Sequence, residues 1–287
     1  MADQAKRHRV VRRGAKLDRL LDESRFKSPE NGKNRSFGSA SPFSKTTTGI
    51  EGGSQGNPEI EILNNLRTKA LLSLIGLAVV MGLLLFVPAG TVQYREAWVY
   101  LTIFIGASLL TSLHLMRKDP ALLQRRMRGG PMAEKETTQK IIMLFASIGF
   151  IALLVVPSLD HRFGWSRVPV PVETAGDLLV VIGFYFVFLV YKENSFTSAT
   201  IEVAENQNVI STGPYALVRH PMYASSLLYV IGTPLALGSY WGLLTIVFMM
   251  PFLIWRLFDE ERFLANNLPG YREYQKKVQH RLVPYIW

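Results

Sequence analysis

The sequence predicts an all-α, polytopic helical membrane protein with about six transmembrane helices. Four apolar runs are long enough, or nearly so, to cross a bilayer. A fifth apolar block, residues 224–257, has room for a C-terminal helical hairpin, and Lys and Arg are distributed very unevenly among the loops. Hydrophobic residues make up 48% of the 287 residues. This content is typical of a small membrane protein with a polar tail.

Residues 1–57 precede the first apolar run and have no sustained apolar period. They open with a basic cluster, KRHRVVRR at 6–13, and continue with a stretch rich in Ser, Gly, Asn and Thr. Such a composition buries too little apolar area to offset chain entropy, so we expect a disordered basic cytosolic tail. The basic cluster is suited to setting topology or contacting anionic lipids, and the alternative is a docking site for another partner. A secretory signal peptide is not expected, because the first long apolar run begins only near Lys69.

Residues 58–287 are predicted to form one membrane domain. Its first four expected spans are residues 70–87, 98–116, 141–159 and 175–191. The block at 224–257 is interrupted by Gly and Pro at 232–234 and by Gly at 238 and 242, which predicts a tight hairpin of two shorter membrane helices. The segment from Phe258 onward is amphiphilic and ends in RLVPYIW.

The positions of the basic residues predict the orientation in the membrane. With six spans, 29 of the 32 Lys and Arg residues lie on one side, and only Arg95, Arg162 and Arg167 lie on the other. Cytoplasmic loops carry such an excess, so both termini are expected to be cytosolic. The membrane could be a bacterial inner membrane or the endoplasmic reticulum. Since the net charge of +10 is concentrated in these loops, we do not expect nucleic acid binding.

The side chains available for chemistry exclude several kinds of site. The chain has no cysteine, which excludes disulfides, Cys-ligated zinc, iron–sulfur clusters and thiol nucleophiles. None of the five histidines has a metal-ligand spacing with another, so no metal site is predicted.

The segment 209–223, VISTGPYALVRHPMY, is polar and basic between two apolar runs. Gly213-Pro214 is a turn signal, and Pro221 suits the first turn of a helix. We therefore expect a tight turn, a short helical piece around 216–218, and then an apolar helix with Arg219, His220 and Tyr223 at its mouth. A ligand with charged and apolar parts could bind there. The alternative is a helix start that only anchors the chain at the membrane interface.

A second group of charged residues lies in FLIWRLFDEERFL. Arg256 and Glu260 are four residues apart and share a helix face. An exposed ion pair would contribute little, but Arg256 directly follows an apolar run, and an ionisable group at that depth is a functional candidate. Further on, the turn at 268–271 and Tyr274 could pack the tail over a site or onto the membrane surface.

Taken in order, GPYALVRHPMY at 213–223, Glu260-Glu261, LPGYREYQKKV at 268–278 and the closing RLVPYIW resemble the isoprenylcysteine carboxyl methyltransferase family. This family of integral membrane methyltransferases is related to phospholipid methyltransferases. The resemblance covers roughly residues 176–287 and does not extend to the tail at 1–57.

The resemblance implies a cytosol-facing pocket for S-adenosylmethionine. Carried over residue by residue, the cofactor contacts would be Gln207, Asn208, Val209, Ile210, Tyr215, His220, Pro221, Met222, Tyr223 and Glu260. Arg256 would be the catalytic, substrate-binding residue that holds the carboxylate of the acceptor. The acceptor would be a lipid-like or prenylcysteine-type carboxylate, or a related small lipophilic molecule, that enters from the bilayer.

Two other functions remain open at this point. Membrane sterol or enone reductases that use NADPH resemble the C-terminal part, but their longer Asn- and Asp-bearing signature is replaced here by FLANNLPGY. The second alternative is a membrane scaffold without enzymatic activity that uses its basic tail to recruit a partner.

Overall fold

The computed structural model describes residues 58–134 and 136–287, so the predictions for residues 1–57 concern a part of the chain outside it. Residues 66–287 form one compact unit. The described residues contain α-helices and two short 3-10 helices, Pro131–Ala133 and Gly213–Ala216, and no strand. The α-helices are α1 (Pro58–Ala89), α2 (Arg95–Lys118), α3 (Pro120–Met127), α4 (Thr137–Phe163), α5 (Val170–Glu193), α6 (Pro221–Ala236), α7 (Leu243–Asn267) and α8 (Tyr271–Lys277).

Four helices are long and apolar enough to cross a membrane: Leu63–Ala89 of α1, then α2, α4 and α5. Each contains one of the four predicted spans. Large apolar side chains on these helices point away from the protein, as in Leu72 and Leu110, which are 61% and 70% exposed. Such outward apolar surface is typical of helices that face lipid. The predicted all-α polytopic membrane class is confirmed.

The C-terminal hairpin is present, formed by α6 and α7 with a turn at 237–242. Two details differ from the prediction. Gly232 and Pro234 lie inside α6 and do not interrupt it. The number of six spans is not confirmed, because α6 has only 16 residues and the apolar part of α7 ends at Arg256.

Helices α5 and α6 pack antiparallel at backbone distance. A Cβ atom on Gly176 would lie 2.3 Å from the Ala236 backbone nitrogen, and one on Gly232 would lie 2.6 Å from the Gly176 carbonyl oxygen. Two turns further along α5, a Cβ atom on Gly183 would lie 2.8 Å from the Tyr229 backbone nitrogen. Small residues at such contacts allow membrane helices to approach closely. This packing places Pro221, the first residue of α6, beside the end of α5.

Polar contacts close the opposite end of the bundle. Asp160 at the end of α4 accepts hydrogen bonds from the Ser166 hydroxyl at 2.6 Å and from the Ser239 hydroxyl at 2.5 Å. The Tyr94 hydroxyl donates to the Leu237 carbonyl oxygen at 2.6 Å. The turn between α6 and α7 is thereby fixed to the loops before α2 and after α4, which leaves the other end of the bundle for the site.

Replacement of Gly176 by alanine should destabilise the protein. The new methyl group meets backbone atoms that cannot rotate away, so we expect a loss of about 1–3 kcal/mol in unfolding free energy, as for overpacked cores. Thermal unfolding in detergent measures this effect. The matched control is Gly106→Ala, since a Cβ on Gly106 meets nothing within 4 Å. Equal unfolding temperatures for the two variants would contradict the close contact of α5 and α6.

Candidate active site

A cavity of about 470 Å³ lies where the ends of several helices meet the loop at 194–210 and the segment before α6. The structure brings all of the predicted site residues to this one cavity. They are Gln207, Asn208, Val209, Ile210, Tyr215, His220, Pro221, Met222, Tyr223, Arg256 and Glu260. They come from two stretches of the chain, 207–223 and 256–260, which only the tertiary fold brings together.

The segment before α6 has the predicted turn and the predicted helix start at Pro221, but its short helical piece spans Gly213–Ala216 and not 216–218, because the turn at Gly213-Pro214 itself opens the 3-10 helix. Gly213 adopts a φ of +57° and opens the 3-10 helix Gly213–Ala216. A Cβ at this glycine would lie 3.0 Å from the carboxylate of Glu193, which accepts a hydrogen bond from the Thr212 hydroxyl. Helix α6 then begins at Pro221, with His220 as its N-cap residue. The turn is therefore anchored to the end of α5 and delivers His220 to the cavity wall.

Glu261 joins three parts of the chain through its two carboxylate oxygens. Oε1 accepts from Arg219 Nε at 2.6 Å and lies 3.3 Å from His220 Nε2, and Oε2 accepts from Arg281 Nε at 3.1 Å. The side chain of Glu261 is only 8% exposed. Burial alone would raise the pKa of Glu261, but the hydrogen bonds with His220, Arg219 and Arg281 outweigh it and lower the pKa to about 2. The carboxylate is thus ionised and holds the site together.

Backbone hydrogen bonds also connect the segment before α6 to the C-terminal segment. The Arg219 amide donates to the His280 carbonyl oxygen at 2.9 Å, and the His220 amide donates to the Arg281 carbonyl oxygen at 3.0 Å. The Arg219 guanidinium also donates to the Val278 carbonyl oxygen at 3.0 Å. The C-terminal segment is therefore a structural part of the site.

Tyr223 connects Arg256 and Glu260. Its hydroxyl donates to Glu260 Oε2 at 2.5 Å and accepts from Arg256 Nε at 3.1 Å. The sequence predicted that Arg256 and Glu260 share a helix face, and the structure places the phenol oxygen between them. Because Tyr223 is a neutral partner, the charge of Glu260 remains for another group in the cavity.

The guanidinium of Arg256 is already occupied by groups that the sequence did not indicate. It donates to Glu134 Oε1 at 2.8 Å and to Gln139 Oε1 at 2.8 Å, and also to the Ala199 carbonyl oxygen at 3.2 Å. The side chain of Glu134 is 2% exposed. Both residues lie between α3 and the first turn of α4 and belong to no recognisable motif. The only sequence signal for Glu134 and Gln139 was their position in the stretch 117–140, which was predicted to lie on the same side of the membrane as Arg256.

Two arginines of α3 bind the loop at 194–210, which covers the cavity. Arg125 and Arg126 of α3 donate to the carbonyl oxygens of Ser195 and Ser198 at 2.5 and 2.8 Å. The Ile201 amide donates to Glu134 Oε2 at 3.4 Å. These contacts hold the stretch leading to Gln207 and Ile210 as a roof of the cavity.

The C-terminal segment from Leu268 onward packs over the site, which is one of the two placements considered from the sequence. Leu268, Tyr271 and Tyr274 are buried and pack against Val209 and Tyr215. The Tyr274 hydroxyl donates to the Tyr215 carbonyl oxygen at 2.7 Å. Burial raises the pKa of all three tyrosines, so their hydroxyls are neutral and can donate hydrogen bonds.

Nothing in the described part of the chain suggests a metal centre. There, no group of three or more His, Cys, Asp or Glu side chains is placed to hold an ion. The donors around the cavity are instead carboxylates, guanidinium groups, phenols and amides, which suit an organic ligand with charged and apolar parts.

Replacement of Glu261 by glutamine should strongly destabilise the protein, because it leaves Arg219 buried without its anion. Removing one partner of a buried pair typically costs about 3–5 kcal/mol. The pKa of Glu261 in the folded protein lies below its ordinary value of 4.5. Its contribution to stability is therefore complete above about pH 4.5 and is lost as the pH falls toward 2.

Thermal unfolding in detergent between pH 7 and pH 3 would test this. The unsubstituted protein should lose stability on acidification through this range, and Glu261→Gln should lose less. Glu205→Gln is the control, since Glu205 is exposed and lies outside the cavity lining. A Glu261→Gln variant as stable as the control would contradict the structural role of this carboxylate.

Part of the chain, mostly in its C-terminal half, is similar to known methyltransferases. Residues 172–269 match the family model of phospholipid methyltransferase. Probable protein-S-isoprenylcysteine O-methyltransferases of Oryza sativa, subspecies indica and japonica, are each 32% identical over 124 residues, which is 40% of this chain and 62% of the relative. Cobalt-zinc-cadmium resistance protein CzcN of Cupriavidus metallidurans is 28% identical over 106 residues, 35% of this chain and 47% of that protein.

The aligned regions thus span about half to three fifths of the length of these relatives. The matched residues contain α6 and α7. They also contain Arg219 and His220 before α6 and Arg256 and Glu260 on α7, which all line the cavity. The resemblance predicted from the sequence is confirmed, and the C-terminal part of this chain is similar to the isoprenylcysteine carboxyl and phospholipid methyltransferases of membranes.

Proposed function

We propose that this protein is an S-adenosylmethionine-dependent methyltransferase of the membrane. The observation that supports this proposal most is that all eleven residues named above, from the separate stretches 207–223 and 256–260, line one cavity. A cavity of about 470 Å³ is within the usual size range of small-molecule sites. The match to membrane methyltransferase families favours this function over the reductase and scaffold alternatives.

The residues of the cavity fit the chemistry of the proposed cofactor. S-adenosylmethionine supplies a methyl group on a cationic sulfonium, next to an amino acid and an adenosine. Glu260 offers a carboxylate to the cationic part, while His220 and Tyr223 line the same wall. Val209, Tyr215 and Leu264 offer an apolar and aromatic surface. A Gly-rich phosphate loop is not needed for such a ligand.

For the acceptor we propose a lipid-like or prenylcysteine-type carboxylate, or a related small lipophilic molecule. A carboxylate is ionised at cytosolic pH, so its methylation needs positioning and charge complementarity and no general base. Arg256 would bind it, and Met143, Ala146 and Leu253 provide apolar lining from α4 and α7. Since Arg256 is paired with Glu134, an acceptor carboxylate must displace Glu134 or share the guanidinium with it.

We further propose that the cavity and both termini face the cytosol. The cavity is built from α3, the loop at 194–210, the segment before α6 and the end of α7. In the predicted arrangement these parts lie on the side of the membrane that carries 29 of the 32 Lys and Arg residues, which is the cytosolic side. The basic cluster at 6–13 would contact anionic lipids on the same side.

Binding of S-adenosylhomocysteine to detergent-purified protein tests the cofactor. We expect saturable binding by calorimetry, weakened about tenfold or more by His220→Ala and by Glu260→Gln, since hydrogen bonds to charged groups contribute about 1.5–3 kcal/mol. Glu205→Gln, at an exposed position, should bind as the unsubstituted protein does. Thermal unfolding would confirm that the variants are folded. Absence of binding by folded, unsubstituted protein would contradict the proposal.

The pairing of Arg256 with Glu134 can be tested with a farnesylated N-acetylcysteine as acceptor. Arg256→Lys should raise the KM for the acceptor about tenfold or more, because lysine lacks the planar pair of donors, with little change in cofactor affinity. Glu134→Gln removes the competing carboxylate while keeping a hydrogen-bond acceptor, so it should lower this KM. An unchanged KM in both variants would show that the acceptor does not use Arg256.

A further inference from the structure

Tyr271 of α8 has an unmet hydrogen-bonding requirement beside the cavity. It is 4% exposed, and it lines the cavity together with Leu268 and Tyr274. Its hydroxyl is buried and has no hydrogen-bond partner among the described residues. Buried polar groups in folded proteins are nearly always paired, so a buried hydroxyl without a partner at a cavity wall points to a missing ligand.

The neighbouring tyrosine of the same helix makes the contrast. The Tyr274 hydroxyl donates to the carbonyl oxygens of Tyr215 and Val218, at 2.7 and 3.4 Å, and so fixes α8 to the segment before α6. The two tyrosine rings lie 5.7 Å apart between centroids. One hydroxyl therefore serves the protein fold, and the other lies next to it without a hydrogen-bond partner in the described part of the chain.

The surroundings of Tyr271 indicate which part of a ligand would reach it. The residues that share its part of the cavity are apolar or aromatic: Val209, Tyr215, Leu264 and Leu268. Arg219, His220 and Glu260 also line the cavity, and Arg219 and Glu260 are near enough to act electrostatically on the Tyr271 hydroxyl. A flat heteroaromatic group has apolar faces for the first set and polar atoms at its edge for a hydroxyl. A zwitterionic amino acid group suits the second set.

We propose that Tyr271 is a cofactor-binding residue whose hydroxyl makes a hydrogen bond to the adenosine end of S-adenosylmethionine. This proposal rests on the proposed function and assigns the C-terminal helix α8 to the cofactor site. The αL conformation of Gly270, with a φ of +84°, reverses the chain between Leu268 and Tyr271 and places the tyrosine at the cavity. The tail thus contributes a specific contact as well as a cover.

The test compares Tyr271→Phe with the unsubstituted protein for two ligands. S-adenosylhomocysteine carries both the adenosine and the amino acid, whereas 5′-methylthioadenosine carries the adenosine alone. Tyr271→Phe should weaken the binding of both by the same factor of about 3 to 10, the usual effect of one hydrogen bond. Equal binding by the variant and the unsubstituted protein would overturn the proposal. A loss confined to S-adenosylhomocysteine would overturn the assignment to the adenosine end.

Thermal unfolding without ligand separates binding from a structural role. Tyr271→Phe should unfold at the same temperature as the unsubstituted protein or higher, because it removes a buried hydroxyl without a partner. Tyr274→Phe should unfold at a lower temperature, since it loses its bonds to backbone oxygens. A fall for Tyr271→Phe as large as that for Tyr274→Phe would overturn the proposal. Failure of the unsubstituted protein to bind either ligand would instead contradict the proposed function itself.

Discussion

The site depends on the carboxylate of Glu261. Glu261 lies on α7. Its hydrogen-bond partners are Arg219 and His220 just before α6 and Arg281 near the end of the chain. A buried carboxylate is unfavourable unless it is paired and hydrogen-bonded, and here both oxygens have partners. Because these partners come from separate segments, the requirement to neutralise one buried charge fixes the start of α6 and the C-terminal segment relative to α7.

The two adjacent glutamates of α7 have different tasks because consecutive residues on a helix point about 100° apart. Glu261 points to Arg219 and Arg281, and both of its carboxylate oxygens are used in these structural ion pairs. Glu260 points to Tyr223 and the cavity, where its partner is a neutral phenol. Loss of the first carboxylate should therefore affect stability, and loss of the second should affect ligand binding. The helix geometry thus directs one of the two adjacent carboxylates into the fold and the other toward the cavity, although the sequence shows only a Glu-Glu pair.

The sequence predicted the features that depend on local composition and on the resemblance. Apolar runs predicted the four spans, and Gly213-Pro214 and Pro221 predicted the turn and the start of α6. The residues that the resemblance assigned to cofactor and acceptor all lie in the lining of one cavity. Contacts between distant segments could not be predicted in this way. Glu134 and Gln139 belong to no motif, and only the tertiary fold brings them to Arg256. Gly232 was interpreted as a helix interruption, whereas it serves a close helix–helix contact inside α6.

The pairing of Arg256 has a consequence for how a ligand could enter the site. A buried guanidinium needs acceptors at all times, and in this structure Glu134, Gln139 and the Ala199 carbonyl provide them. A carboxylate on an acceptor would replace Glu134 at the guanidinium by a group of the same charge and geometry, and the displaced Glu134 carboxylate would then need solvent or another donor. Glu134 also accepts a hydrogen bond from the Ile201 amide in the roof of the cavity. Displacement of Glu134 would therefore loosen the roof at the same step, and occupation of Arg256 would be coupled to the loop that leads to the proposed cofactor residues.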